Sequence, residues 1–152
     1  MADGDLGLDA LFTTAALPTG EYRVETFYLA STTRASAVHH DIIHAGGTTL
    51  RLVDQRVELA PGAFMDLGVY AFVNGAAGQG LRVRTDPADD GKVVVDAARF
   101  TCTSSVVTMP ADANMLASDT TPAPFFTGLS CSPGAQTVVD NLQGPPFFEV
   151  TK

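Results

Sequence analysis

Short stretches of alternating apolar and polar residues, separated by glycine and proline, most constrain how this chain can fold. Leu81–Thr85 is the clearest case, because Leu81 and Val83 would face inward while Arg82 and Arg84 would face outward. This alternation is typical of a half-buried β-strand, in which successive side chains point to opposite faces. No helical period runs for more than about three turns, so we expect strands and no long helices.

Further strands are expected at Glu21–Ser31, Thr49–Leu59, Ala63–Val73 and Phe100–Thr108. In Thr49–Leu59 the phase of the alternation slips, which indicates a bulge or break near Asp54-Gln55. Ala63–Val73 is apolar at both parities, which predicts a central strand that is covered on both faces.

The turn signals suggest how these strands are connected. Asp86–Gly91 combines Asp, Pro and Gly, and therefore predicts a tight turn into a return strand at Lys92–Asp96. Such connections are typical of an antiparallel meander. Pro110–Pro124 is expected to be a long loop.

The pattern as a whole predicts an all-β domain, either an antiparallel β-sandwich or a barrel, with a jelly-roll-like arrangement. Residues 1–20, which are rich in Gly and Asp, are expected to form an N-terminal arm with a helical turn at Leu8–Phe12. Residues 21–152 would then form a single β domain, with an extended C-terminal arm from about residue 122.

Charge argues against two classes of partner. The chain carries 17 acidic residues against 9 basic ones, with a net charge of −8. It has no basic residue between Arg99 and Lys152. Phosphate backbones and anionic lipids require clustered Lys or Arg, so we expect neither nucleic acid nor membrane as a partner. No apolar run is long enough to span a bilayer.

The first residues and the two cysteines bear on the compartment. The N-terminal sequence MADGDLGLDALF has no basic residue and no long apolar stretch, so we expect no secretion through a signal peptide. Cys102 and Cys131 allow either one disulfide or two free thiols. We favour free thiols, because disulfides are rare in proteins kept inside cells.

The motifs that carry chemistry are weak. His39, His40 and His44 lie together, and His40 and His44 would share one face of a strand. They lack the further ligand that a zinc site requires. Asp86, Asp89 and Asp90 could supply some calcium ligands but lack the spacing of a known calcium loop. With no nucleophile motif and no phosphate-binding loop, we predict no enzyme activity, no metal and no cofactor.

Two pairs of adjacent aromatic residues flanked by proline, Phe125-Phe126 and Phe147-Phe148, are more informative. Neighbouring residues of a strand point to opposite faces, so one ring of each pair would leave the core of this domain. We therefore predict that Phe125, Phe126, Phe147 and Phe148, together with His40 and His44, form contacts between subunits.

These observations favour a non-enzymatic structural subunit of a symmetric assembly. Our first expectation is an accessory protein of a virus or phage particle, a capsid decoration or a head or tail component. It would bind copies of itself as a homo-oligomer, as well as other particle proteins, and be found in the virion after assembly in the cytoplasm. One alternative is a lectin-like or other ligand-binding β-sandwich module. The other is a metal-dependent enzyme that uses the His39–His44 segment.

Overall fold

The computed structural model describes residues 9–105 and 130–140, in which all regular secondary structure is β-strand. The eight strands are β1 (Asp9–Thr13), β2 (Gly20–Phe27), β3 (Val38–His44), β4 (Gly47–Val53), β5 (Met65–Phe72), β6 (Gly80–Arg84), β7 (Ala97–Ser104) and β8 (Gln136–Asp140). Within those ranges, no helix has the length and apolar character needed to cross a membrane.

The strands form two four-stranded antiparallel sheets. The front sheet has the order β1-β6-β3-β4, and the back sheet has the order β5-β2-β7-β8. The all-β prediction is therefore confirmed, and the architecture is a β-sandwich rather than a single barrel.

The inner faces of the two sheets share one apolar core. Phe72 lies near its centre, with its ring edge-on to Tyr22 at 6.0 Å and to Phe100 at 5.8 Å between centroids. Val83 and Ile42 contribute from the front sheet. Each such side chain contributes roughly 1.5–3 kcal/mol on burial, so the core holds the two sheets together.

Several strand predictions are confirmed. β6 has the expected alternation, with Leu81 and Val83 buried in the core and the arginines on the other face. β4 ends at Val53, and the chain then turns, so the break predicted near Asp54-Gln55 is present. The turn at Asp86–Gly91 also forms, with Asp89 donating its backbone N–H to the Asp86 carbonyl.

Two predictions about strand order are wrong. β5 lies at an edge of the back sheet, where it pairs with β2. Its apolar outward residue Val69 is half exposed, so apolar character at both parities did not mean a central position. The meander is also absent, because β6 pairs with β1 and β3, whereas β5 lies in the other sheet.

The segment Lys92–Asp96, expected to be a return strand, crosses between the sheets instead. The buried side chain of Gln55 holds it in place. The Gln55 amide donates to the Val94 carbonyl at 2.7 Å, and its oxygen accepts from the Val94 N–H at 2.9 Å. A side chain therefore takes the hydrogen bonds that a neighbouring strand would have made.

The predicted arms are described only in part. Residues 9–13 of the N-terminal arm form β1, which pairs with β6 and places Phe12 in the core. The helical turn expected at Leu8–Phe12 is therefore wrong. The loop predicted at Pro110–Pro124 lies outside the described residues, as does most of the C-terminal arm.

Cys102 and Cys131 form a disulfide, with a Cα–Cα distance of 6.0 Å. Backbone hydrogen bonds bring them together, from Cys131 N–H to the Thr19 carbonyl and from Cys102 N–H to the Ala135 carbonyl. The prediction of two free thiols is therefore wrong. Both cysteines belong to the buried core, and Cys102 lies on β7 of the back sheet.

Candidate binding face on the front sheet

The side of the front sheet that points away from the core carries most of the polar groups that could meet a ligand. Strand register places Arg82 directly between Leu11 and Asp41, with Leu50 beyond Asp41. The next row aligns Asp9, Arg84, His39 and Leu52 in the same strand order. We call this surface the outer face; it consists of Asp9, Leu11, His39, Asp41, Leu50, Leu52, Arg82 and Arg84.

The two-residue period of the strands makes this face. In β6, Leu81 and Val83 enter the core, so Arg82 and Arg84 must point the other way. In β3, Val38 and Ile42 enter the core, and Asp41 therefore shares the outer face with the arginines. The same alternation that builds the core thus arranges the polar groups.

Asp41 binds both arginines through a single carboxylate oxygen. Its Oδ2 accepts from Arg82 Nη2 at 2.8 Å and Nε at 3.3 Å, and from Arg84 Nε at 2.9 Å. The Asp41 side chain is 6% exposed, whereas Arg82 and Arg84 are 38% and 35% exposed. The buried carboxylate therefore fixes two guanidinium groups that remain open to solvent.

The ionisation of Asp41 reflects two opposing effects. Burial alone would raise the pKa of Asp41, because it disfavours the charged form. The hydrogen bonds and charges of Arg82 and Arg84 outweigh burial, so the pKa of Asp41 lies below its ordinary value. Asp41 is therefore an anion at neutral pH, as a partner of two cations should be.

Leucines border the charged centre on both sides. Leu11, Leu50 and Leu52 are 47%, 46% and 59% exposed. Single exposed leucines are ordinary on a protein surface. Here they lie beside fixed guanidinium groups, so the face combines apolar contact area with hydrogen-bond donors.

A pocket of about 210 Å³ adjoins the outer face at the Asp86–Gly91 turn. It is lined by Ser36, Ala37, His39, Asp86, Ala88, Asp89 and Asp90. His39 belongs to both the pocket and the outer face, and its Nδ1 is buried without a hydrogen-bond partner. Arg84 connects the two regions, because its Nη1 lies 3.8 Å from Asp86 Oδ2.

The carboxylates of this turn are used to hold the local structure. Asp90 accepts from the backbone N–H and hydroxyl of Ser36, which lower its pKa, and from Arg56 Nη2. Asp89 Oδ2 accepts from the backbone N–H of Asp86. In the described part of the chain, no group of three or more His, Cys, Asp or Glu residues is placed to hold a metal ion. These carboxylate oxygens are thus engaged by contacts within the turn and with Ser36 and Arg56.

The histidines lie on β3, where His40 and His44 share the inward face as a strand requires. His40 is 1% exposed, and its Nδ1 lies 3.1 Å from the Val38 carbonyl. The His44 ring packs on Tyr70 at 5.0 Å, and its Nε2 lies 3.0 Å from Thr49 Oγ1. The metal-enzyme alternative therefore has no ligand set here, among the residues that the structure describes.

The subunit contacts predicted from sequence remain predictions. Phe125, Phe126, Phe147 and Phe148 lie outside the described residues. The structure corrects the expected position of His40, because burial on the inward face of β3 removes it from the protein surface.

Sequence reasoning located only the two arginines of the outer face. It placed Arg82 and Arg84 outward, but it did not join them to Asp41, which lies 41 and 43 residues away along the chain. The available signal was parity: in a strand that buries Val38 and Ile42, Asp41 has to point outward.

Comparisons with known proteins give one matching family and two similar bacterial enzymes. Residues 4–102 match the family described as the Golvesin C-terminal domain. The chain is 39% identical over 83 residues to a xanthan lyase of Bacillus sp. (strain GL1), a match that covers 53% of this chain and 9% of that enzyme. A solved structure of a Paenibacillus xanthan lyase resembles it with a TM-score of 0.55 and 33% identity, over 67% of this chain and 9% of the lyase.

These matches overturn the expected function. The predictions of a virus or phage particle subunit and of a location in the virion are wrong. The matching family is the Golvesin C-terminal domain, and both relatives are bacterial xanthan lyases rather than particle proteins. The chain aligns with under a tenth of either lyase, so neither match extends to the whole enzyme. Because the family match spans well over half of its residues, the chain belongs to the Golvesin C-terminal domain family.

Proposed function

We propose that this domain is a non-catalytic module that binds polysaccharide through the outer face. The likeness to two xanthan lyases supports an association with polysaccharide, because those relatives are named for acting on one. The 9% share of each lyase is consistent with an accessory module in a longer protein. The part of the chain that the structure describes offers no metal-binding group that would support the enzyme alternative.

The observation that carries the proposal is the pair of guanidinium groups fixed by Asp41 between exposed leucines. A sugar ring has apolar C–H faces and a rim of hydroxyl groups. Leu11 and Leu50 offer apolar contact for the faces, while Arg82, placed between them, offers N–H donors for the rim. A fixed donor loses little conformational freedom when it binds, which favours affinity.

We also propose that the domain works outside the reducing cytoplasm. The Cys102–Cys131 disulfide supports this location, because such bridges form and persist mainly in oxidising compartments. This proposal replaces the virion location and needs no particular route of export.

Affinity electrophoresis in gels that contain xanthan or other soluble polysaccharides tests the proposed function. We expect the domain to be retarded by at least one of them. The double variant Arg82→Ala/Arg84→Ala should bind at least tenfold more weakly. Arg23→Ala is the control, because Arg23 lies on the outward side of the back sheet, away from the outer face, and also has a carboxylate partner, Asp66.

Circular dichroism and urea denaturation of each variant show whether it is folded under the binding conditions. Binding by the folded double variant at wild-type strength would place the site elsewhere. Failure of the wild-type domain to bind any polysaccharide of the panel would refute the proposed function.

A further inference from the structure

We infer that the outer face takes a neutral, hydroxyl-rich segment of polysaccharide rather than a polyanion. This inference rests on the proposed function and adds the chemical class of the ligand. It follows from the balance of charge on the face, from the mixture of donors and acceptors there, and from an unpaired nitrogen of His39.

Negative charge on this part of the surface offsets the positive charge of the arginines. Arg82 and Arg84 supply two positive charges, and Asp41 lies between them at hydrogen-bond distance. Asp86 lies 3.8 Å from Arg84, and the exposed Asp9 is opposite Arg84 in register. Three carboxylates thus share this part of the surface with two guanidinium groups, so a ligand rich in carboxylates meets no excess of positive charge.

The neighbouring charges do not change this balance. In the adjoining pocket, Asp90 is paired with Arg56 at 2.8 Å, and Asp89 accepts the backbone N–H of Asp86. The whole chain carries a net charge of −8, which repels a polyanion at long range. Both local and overall charge therefore disfavour a polyanionic ligand.

The hydrogen-bonding groups of this surface also suit hydroxyl groups. The outer face offers guanidinium donors at Arg82 and Arg84, and the adjoining turn offers a carboxylate acceptor at Asp86. A hydroxyl group both donates and accepts, so it can pair with either kind of group. An ionised carboxylate on the ligand can only accept hydrogen bonds, so it has no proton to donate to the Asp86 carboxylate. Hydroxyl groups thus match the whole face, and carboxylates match only part of it.

His39 adds a further group of the same kind. It lines the pocket and belongs to the outer face, and its Nδ1 is buried without a hydrogen-bond partner. A neutral imidazole nitrogen is a donor in one tautomer and an acceptor in the other. A ligand reaches this nitrogen only if the ring turns towards the pocket, and a hydroxyl group there can pair with either tautomer.

The arrangement also suggests the direction of the bound chain. Leu11, Arg82 and Leu50 lie in one row that crosses the four strands of the front sheet. Adjacent strands are about 4.8 Å apart, so Leu11 and Leu50 are separated by roughly 14 Å. A polysaccharide lying across the strands would meet an apolar contact, a charged donor and a second apolar contact in turn.

The test measures binding of the full chain to hydroxyethyl cellulose, which is neutral, and to alginate, which is polyanionic, at about 50 mM and about 500 mM NaCl, a range over which screening changes strongly. We expect binding to the neutral polymer to change by less than twofold between the two salt concentrations. Binding to alginate should be at least tenfold weaker than to the neutral polymer at about 50 mM NaCl, and this difference should narrow at about 500 mM, where the charges are screened.

Two outcomes separate this inference from the proposed function. Salt-sensitive binding to alginate without binding to the neutral polymer would overturn the neutral class while leaving polysaccharide binding intact. Binding to no polysaccharide would remove both. The double variant Asp9→Asn/Asp86→Asn gives an independent reading, because removing two carboxylates should raise affinity for alginate several-fold; no gain would contradict the charge argument.

Discussion

Titration of His40 should make the domain sensitive to mild acid. His40 lies inside the sandwich on β3, with its Nδ1–H directed to the Val38 carbonyl. Burial lowers the pKa of His40 to about 4, and the opposing effects of Val38 and Asp41 are smaller. In the unfolded chain the same side chain titrates near its ordinary value of about 6.5. His40 is therefore neutral in the folded domain at pH 7.

The difference between the two pKa values sets the size of the effect. Between pH 6.5 and about pH 4 the unfolded chain binds a proton that the folded domain excludes, so stability falls as pH falls through this window. Each unit of pKa difference corresponds to about 1.4 kcal/mol. At pH 4 His40 is already half protonated in the folded domain, so the full difference is not reached. His40 should therefore remove about 3 kcal/mol of unfolding free energy between pH 7.5 and pH 4. Above pH 7.5 it should have no further effect.

Urea denaturation of the wild-type protein and of His40→Asn at both pH values measures this contribution. Carboxylates such as Asp41 and Asp90 also lose stabilising interactions in acid, but they do so in both proteins. The difference in unfolding free energy between the two proteins should therefore shrink by about 3 kcal/mol on going to pH 4. His44→Asn is the control, since the partly exposed His44 should give a smaller change. If the difference for His40→Asn stayed constant with pH, burial of a neutral His40 would be refuted.

Two further predictions concern the covalent and polar links of the fold. Replacing both cysteines, Cys102→Ser/Cys131→Ser, should lower the unfolding free energy by about 3.6 kcal/mol, from the loop entropy of a bridge across a separation of 29 residues. The reduced wild-type protein should match this variant in urea denaturation, and two titratable thiols in the unreduced, denatured protein would contradict the bridge. Gln55→Ala should cost about 2–3 kcal/mol in the same assay, because it leaves the buried N–H and carbonyl of Val94 without partners. A loss below about 0.5 kcal/mol would show that water replaces the amide.

The elements that sequence predicted correctly are those whose signal is local. Alternation fixed the inward residues Leu81 and Val83 of β6, and a phase slip located the end of β4 near Asp54. Each depends only on the two-residue period of a strand and on residues a few positions apart. The same local rule placed His40 and His44 on one face, although it could not say that this face is the inner one.

The features that sequence missed depend on which strands meet. Val69 looks like part of a central strand, but whether β5 lies at an edge depends on its pairing with β2, where Val69 lies opposite Arg23, 46 residues earlier. The Cys102–Cys131 bridge depends on the passage of Cys131 beside Thr19, which no spacing rule indicates. β1 was missed because five residues carry too little pattern to distinguish a strand from a helical turn.

The strand period that makes the fold predictable also divides β6 between the core and the outer face. In β6, each core residue is followed by an outer-face residue, so Leu81 and Val83 anchor the strand while Arg82 and Arg84 point to the other side. The arginines still affect stability through Asp41, whose side chain is only 6% exposed. Loss of one guanidinium group leaves Asp41 a cationic partner, whereas loss of both leaves a buried charge unpaired, which is strongly destabilising. Single substitutions at Arg82 or Arg84 should therefore change binding more than folding, while the double substitution and variants of Asp41 will affect the fold and the face together.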